Sequence, residues 1–480
     1  MPEKDNTSSN KLSLFDVTNL VVGSIIGADI YVAAALGAKL VGPFSLVIWL
    51  AAGLIAMVIA LSFAYSAAIY PHVGGPYAYT REAFGVFPGF LVGWSLLLAE
   101  WFSLAVFPVA FTRYASILLP WASDSWTIPL KAFFIVVILA TNVFGVKAAG
   151  RFNDYLTIGK LAPLLVLTIG GFVVIALQPA SSFSNFTPFM TGNAVSAGQA
   201  LVLIFWAYAG FELSTLPADE ITEPRKTIPR AIVSGMLIVA AFYLLTNFVI
   251  VGTVGQSTLA SSQAPLIDSG VKIFGVTPLL AAIAVIVVGL GAIVSIMGAD
   301  ESGTIGTSRL AYAMSLDGLL PKLFSRLHPK YKTPYLGLIL LCTTAFVASL
   351  VGSLSDLINA SVFLLSFAYL ATCLSLIVLE RKNGQPTNGA GSRLIIPVVG
   401  ILFSLLLISQ VSLTQIAVSL ILMIVGVPIY VFFTPKKELE ELTTYLSRNA
   451  VLKRAIEQED LFLAHLINHI RKVVRRGVSS

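Results

Sequence analysis

Val21-Val22-Gly23-Ser24-Ile25-Ile26-Gly27-Ala28-Asp29-Ile30-Tyr31 lies in the middle of the first apolar run of the chain, residues 14–38. Two glycines and a serine weaken a helix at this point, and their small side chains let a ligand approach the backbone. Two readings stand side by side. In one, the helix breaks. An interrupted backbone survives in lipid only where it lines a cavity, because the freed N–H and C=O groups need partners. The N–H groups that begin the second half-helix then favour a carboxylate. In the other, Gly23 and Gly27 are four apart and form a small-xxx-small face for close helix packing.

The rest of the chain sets this stretch in a membrane. Of 480 residues, 57% are hydrophobic and 11% charged; a soluble domain with so few charges could not cover its surface. Apolar runs predict about twelve transmembrane helices, at 14–38, 43–69, 86–118, 127–146, 153–177, 195–219, 230–254, 275–303, 334–352, 355–379, 394–412 and 415–433. They lack the alternation of barrel strands, so an all-α membrane protein is expected. The domain organisation read from these runs is an N-tail over 1–13, a ten-helix core over 14–380, two further helices over 394–433, and a tail over 435–480.

Lysine and arginine set the orientation. With the N-terminus inside, the inner loops and N-tail hold sixteen of the 30, the C-terminal tail nine more, and the outer side about four: Lys39, Arg113, Lys131 and Lys272. Both termini are therefore expected in the cytoplasm of a multi-pass plasma-membrane protein. The +6 net charge is a topology signal, and without aromatic–basic interleaving it offers nothing for nucleic acid. The tail carries Leu439, Leu442, Leu446, Leu463, Leu466, Ile467, Ile470 and Val474 at helical spacing, then Arg471, Lys472, Arg475 and Arg476. It reads as an amphipathic helix on anionic inner-leaflet lipids, or as a solvated, partly helical tail. Cys342 and Cys373 both lie in apolar runs, so no disulfide framework is implied.

The sixth run reads Phe205-Trp206-Ala207-Tyr208-Ala209-Gly210-Phe211-Glu212, then Ser214, Thr215 and Pro217. A glycine and a carboxylate among aromatics, one five-helix unit after the first run, match the pattern of paired broken helices that marks a transporter's binding site.

Four further stretches complete a resemblance. These are Tyr70-Pro71 with Gly74-Gly75-Pro76-Tyr77-Ala78-Tyr79; Asp219-Glu220 with Glu223-Pro224-Arg225-Lys226-Thr227-Ile228-Pro229-Arg230; Ser308-Arg309-Leu310-Ala311-Tyr312-Ala313-Met314 with Asp317-Gly318-Leu319-Leu320-Pro321; and His328-Pro329 with Thr333-Pro334. Placed on loops after spans 2, 6 and 8, and together with Gly23 to Gly27, they resemble the amino acid–polyamine–organocation superfamily over residues 12–380. The resemblance implies a LeuT-type 5+5 inverted repeat with helices 1 and 6 broken. It implies secondary transport of amino acids by alternating access, in a monomer or homodimer. The substrate's carboxylate would meet the backbone around Ser24, Ile25, Ile26 and Gly27, and its ammonium the carbonyls near Trp206, Tyr208, Ala209 and Gly210. Related arginine/agmatine and polyamine exchangers carry a Trp-x-x-x-Gly-x-Glu pattern, here Trp206, Gly210 and Glu212. It implies a Trp that stacks on a cation and a Glu that acts as a protonatable gate. The alternatives are a packing aromatic and a hydrogen-bonded structural carboxyl.

Lys160 follows Asn153 by seven residues, about 10 Å into span 5 at ~1.5 Å per residue. Holding a charge there costs roughly 3 kcal/mol unless it is paired or reaches water. The resemblance makes Lys160 the lysine that, in sodium-independent members, takes the place of a sodium ion and bridges spans 1 and 8. A proton is then the expected coupling ion, with no cofactor. The alternative is snorkelling to the inner head groups. Asp29 departs from the family's usual glycine. A carboxylate there would repel an amino acid's carboxylate and favour an amine, unless it pairs with a neighbour instead. Glu100 in span 3, and Asp300 and Glu301 near the inner end of span 8, add intramembrane carboxyls that raise the case for an amine or a cationic amino acid. A channel would show rings of like residues or a filter. An enzyme would show a nucleophile–base pair or metal cluster, whereas His72, His328, His465 and His469 sit in loops and tail. No enzyme is expected.

Overall fold

The computed structural model describes residues 12–435 except 73, 122–123, 145, 216–220 and 383–389. The amphipathic tail expected beyond Pro435, nearly all of the N-tail, and Asp219 and Glu220 lie outside them. The described residues form helices α1 (Leu14–Ile25), α2 (Ala28–Val41), α3 (Ser45–Ile69), α4 (Pro76–Phe84), α5 (Val86–Leu118), α6 (Thr127–Phe144), α7 (Val146–Leu177), α8 (Pro179–Ser184), α9 (Ala194–Phe205), α10 (Pro224–Val254), α11 (Gln256–Ser261), α12 (Pro265–Phe274), α13 (Pro278–Leu316), α14 (Tyr335–Val351), α15 (Leu354–Lys382), α16 (Ala390–Gln410) and α17 (Leu413–Phe433). Among the described residues, nine helical runs are long and apolar enough to cross a membrane, and Leu14–Ile25, Tyr335–Val351 and Leu394–Gln410 are shorter apolar helices. Each of the twelve expected spans is occupied by helix.

The first span is interrupted. Helix α1 opens with a capping box between Ser13 and Asp16 and stops at Ile26, whose ψ of 99° turns the chain out of the helix. Helix α2 restarts at Ala28. A Cβ on Gly27 would stand 2.3 Å from the Cβ of Ala299 on α13. The two readings of this glycine therefore coincide: the helix breaks, and the broken backbone packs directly on a neighbour.

The sixth span breaks as well. After α9 a 3-10 turn covers Trp206–Tyr208, Ala209 is extended, Gly210 takes φ +117°, and a second 3-10 turn covers Phe211–Thr215. Gly210 has two reasons to be glycine: its left-handed φ, and an added Cβ only 2.9 Å from Ser24 O. The two breaks touch, with Ser24 Oγ donating to Gly210 O at 3.0 Å.

Two expectations about span 8 are corrected. Helix α13 runs 39 residues to Leu316, so Ser308 to Met314 lie in helix rather than loop, and Asp300 and Glu301 lie in mid-helix rather than near its end. Their polar stretch is buried against other helices, so it does not end the helix as a solvated segment would. Similarly, α7 begins at Val146, which sets Lys160 two turns deeper than expected.

The quoted motifs interlock. Tyr77 Oη donates to Asp317 Oδ2 at 2.5 Å and Arg81 Nη1 pairs with the same oxygen at 2.6 Å, joining α4 to the end of α13. The backbone at Leu12 pairs with Ile221 and Thr222 after the sixth span. Thr333 Oγ1 donates to Val143 O.

Gly27→Ala should lower stability by several kcal/mol, because the added Cβ meets the Cβ of Ala299, which has no rotamer by which to move aside. Gly159→Ala on α7, with open space around its added Cβ, should be neutral or stabilising by up to about 1 kcal/mol. Thermal unfolding of both variants in detergent reads the contrast.

Candidate functional site

At a helix end in hydrocarbon the last carbonyls have no water to turn to. The end of α1 meets this need with three neighbours. Lys160 Nζ, on α7, donates to Gly23 O at 2.5 Å. Tyr243 Oη, on α10, donates to Ile25 O at 3.0 Å, and Ser295 Oγ, on α13, to Ile26 O at 3.4 Å. A cation at a helix C-terminus also complements the dipole. Lys160 is fully buried, so it does not snorkel to a head group. It reaches α1, while the link from α1 to α13 is carried by Ser295 and by the Gly27–Ala299 contact.

On the other side of each break the chain supplies its own carboxylate. Gly27 N–H donates to Asp29 Oδ2 at 3.2 Å, and Gly210 N–H to both oxygens of Glu212 at 3.1 Å. Gly27-Ala28-Asp29 and Gly210-Phe211-Glu212 are thus the same device, a side chain two residues on that caps the first N–H after the break. Asp29 is buried and interacts electrostatically with Lys160 across the first break.

Beside the second break lies a group of acids. Tyr369 Oη, on α15, donates to Glu212 Oε2 at 3.1 Å, and Glu100 of α5 lines the same small cavity as Glu212 and interacts with it electrostatically. A cavity of about 10 Å³, room for roughly one water, adjoins this pair between Pro76, Leu96, Thr307 and Leu310. Asp300 is 1% exposed, and neither oxygen has a hydrogen-bond partner among the described residues. It acts electrostatically on Glu100 and on Cys342 of α14.

The two aromatics of the second break are held by neighbouring helices, Trp206 close to the first break through Phe107, whose Cε1 would lie 3.3 Å from a Cβ on Gly27. Trp206 Nε1 donates to Ser103 Oγ at 3.1 Å, and its ring lies 6.0 Å from that of Phe107. Tyr208 donates to Trp49 O and packs edge-on against Trp49 and Tyr243, so its side chain points to α3 and α10. The structure therefore brings Ser24, Ile25, Ile26, Gly27, Asp29, Lys160 and Gly210 into one buried centre, with Glu100 and Glu212 adjoining it. Ala209 is the partly exposed member. Ser103, Tyr243, Ser295, Ala299 and Tyr369 were not legible beforehand. Nothing in the sequence separates Tyr243 and Tyr369 from the other tyrosines, since each hydroxyl finds its partner far along the chain. Among the described residues no cluster suited to a metal ion is present.

The amino acid permease family matches residues 12–439. The branched-chain amino acid permease BcaP of Bacillus subtilis is 28% identical over 461 residues, covering 90% of this chain and 94% of that protein. The human large neutral amino acids transporter small subunit 2 is 28% identical over 435 residues, 88% of this chain and 79% of that one. The methylthioribose transporter of Bacillus subtilis is 28% identical over 407 residues, 80% and 84% respectively.

Tyr243→Phe leaves Ile25 O without its donor in a buried site. It should cost about 1–3 kcal/mol, read as a lower unfolding temperature in detergent. Ile169→Val, at a position on α7 that is 57% exposed, is the control, expected within about 0.5 kcal/mol of the parent.

Proposed function

The chain belongs to the amino acid permease family and is a membrane transporter rather than an enzyme; we propose that it carries amino acids by alternating access, coupled to protons. The observation that supports this best is the contact between two interrupted helices, Ser24 Oγ on Gly210 O, in the first and sixth spans. Interruptions at matching places fit a 5+5 inverted repeat with the substrate bound where they meet. The repeated glycine–x–acid device is a second sign of that symmetry. In this reading the substrate's carboxylate meets the backbone between Ser24 and Gly27, and its ammonium the carbonyls from Trp206 to Gly210. Lys160 supports proton coupling: a buried amine on the α1 carbonyls holds the place a coupling cation would take. Residence in the plasma membrane with both termini cytoplasmic follows from the lysine and arginine bias.

A second reading, amine transport, is favoured by one contact. Asp29 already occupies the Gly27 N–H, a donor that the carboxylate of an amino acid would otherwise use. An amine without that carboxylate faces no such competition.

Reconstituted into proteoliposomes, the purified protein should take up labelled leucine faster under an inward pH gradient, with no loss when sodium is replaced by choline. Uptake abolished by sodium removal and indifferent to the pH gradient would sink the coupling assignment. A parallel panel of leucine, lysine and 1,4-diaminobutane separates the substrate readings. Asp29→Gly, which frees the Gly27 N–H, should shift preference toward the amino acid on the order of tenfold, the worth of a charge-assisted hydrogen bond. An unchanged preference would place Asp29 outside substrate selection.

A further inference from the structure

Asp300 and Thr304 stand one turn apart on α13, and each is 1% exposed. Among the described residues, neither oxygen of the Asp300 carboxyl nor the Thr304 hydroxyl has a hydrogen-bond partner. A threonine inside a helix ordinarily donates to the carbonyl one turn back, as Thr307 does to Gly303 O on the same helix; Thr304 makes no such bond. The two buried lysines among the described residues are engaged elsewhere, Lys160 on Gly23 O and Lys131 on Ser349 O. A buried polar group with its bonds unmade carries a desolvation cost and gains nothing in return, which points to a partner that arrives from outside the chain.

The surroundings say what kind of partner. Asp300, Gly303, Thr304 and Thr307 fall on one face of α13, which has about 3.6 residues per turn, and that face looks onto α5. A Cβ added to Gly303 would meet nothing nearer than Glu100 Oε2 and Leu104 Cδ2, both at 3.8 Å, and Thr307 lines the small cavity beside Glu100. Gly303 thus leaves space next to a second carboxyl. The face also begins at the first break, because Ala299, the residue before Asp300, is the one whose Cβ would meet a Cβ on Gly27. From Ala299 to Gly303 is about 6 Å along the helix at ~1.5 Å per residue, within the reach of a lysine side chain.

We propose that Asp300 and Thr304, with Glu100 opposite, form a subsite for the distal ammonium of a basic amino acid or a diamine whose other end lies at the two breaks. An ammonium offers three N–H donors and accepts nothing, so it supplies what the Asp300 oxygens and the Thr304 hydroxyl lack. A ligand without that group leaves the buried carboxyl unpaired, which makes Asp300 a specificity-determining residue. The position of the ligand's other end rests on the transporter reading; the cation subsite rests on α13 and α5.

Equilibrium binding to the purified full-length protein in liposomes tests this with two pairs, lysine against norleucine and 1,4-diaminobutane against butylamine. The members of each pair differ only in the distal ammonium. The parent should bind the ammonium-bearing member of at least one pair more tightly, on the order of tenfold, and Asp300→Asn should bring that ratio close to one. Thr304→Val should lower it by roughly threefold, the loss of one neutral hydrogen bond, and carries the test if Asp300→Asn does not yield monodisperse protein. A parent that favours norleucine and butylamine, or binds none of the four, overturns the inference. So does a ratio left unchanged in Asp300→Asn or, where that variant fails, in Thr304→Val. Uptake of the same compounds separates the two readings. Norleucine carried with no preference for lysine removes the subsite and leaves transport standing; lysine bound through Asp300 but not carried keeps the subsite and counts against transport.

Discussion

A backbone break in hydrocarbon has to be satisfied from within the protein, and much of this structure follows from that requirement. Water cannot reach the carbonyls that end α1, so Lys160, Tyr243 and Ser295 are brought to them from three other helices. Each contact fixes a helix relative to the break. The result is a junction at which α1, α7, α10 and α13 converge. A side chain lost there removes both a hydrogen bond and a positional constraint.

The opposite ends of the breaks are closed locally. Asp29 and Glu212 each turn back on the glycine two residues earlier, which caps an N–H without help from another helix. The cost is an acidic side chain buried beside each break. In the first break the neighbouring titratable group is Lys160, which interacts electrostatically with Asp29. In the second the neighbour is Glu100, which lines the same small cavity as Glu212. The same device thus has a cationic partner in one half and an acidic partner in the other.

Glycine makes the junction compact. Gly27 against Ala299 and Gly210 against Ser24 are contacts that any Cβ would block, and Gly210 alone of the pair also adopts a left-handed φ. Small residues here do two things at once, releasing the helix and admitting the neighbouring backbone. The motifs outside the core do related work, since Tyr77, Arg81 and Asp317 tie α4 to the end of α13.

Hydropathy alone determined that the chain is helical and membrane-embedded, because the apolar length needed to cross a bilayer is written directly in local composition. The break sites were also legible, since helix-weakening glycines act through their own backbone, and Asp29, Lys160 and Glu212 stood out as charges in apolar runs. Tertiary structure decided what each of these touches. Lys160 reached Gly23 rather than a head group, Asp29 the Gly27 N–H, and Tyr208 the Trp49 carbonyl. Span 8 ran past its expected end because Asp300, Glu301 and the residues after them are buried by other helices, an environment that composition reads as solvent. Ser295, Tyr243 and Tyr369 became functional neighbours only through contacts between residues more than a hundred positions apart. Hydrogen bonding depends on distance and direction in space, and neither is encoded in the spacing of residues along one segment.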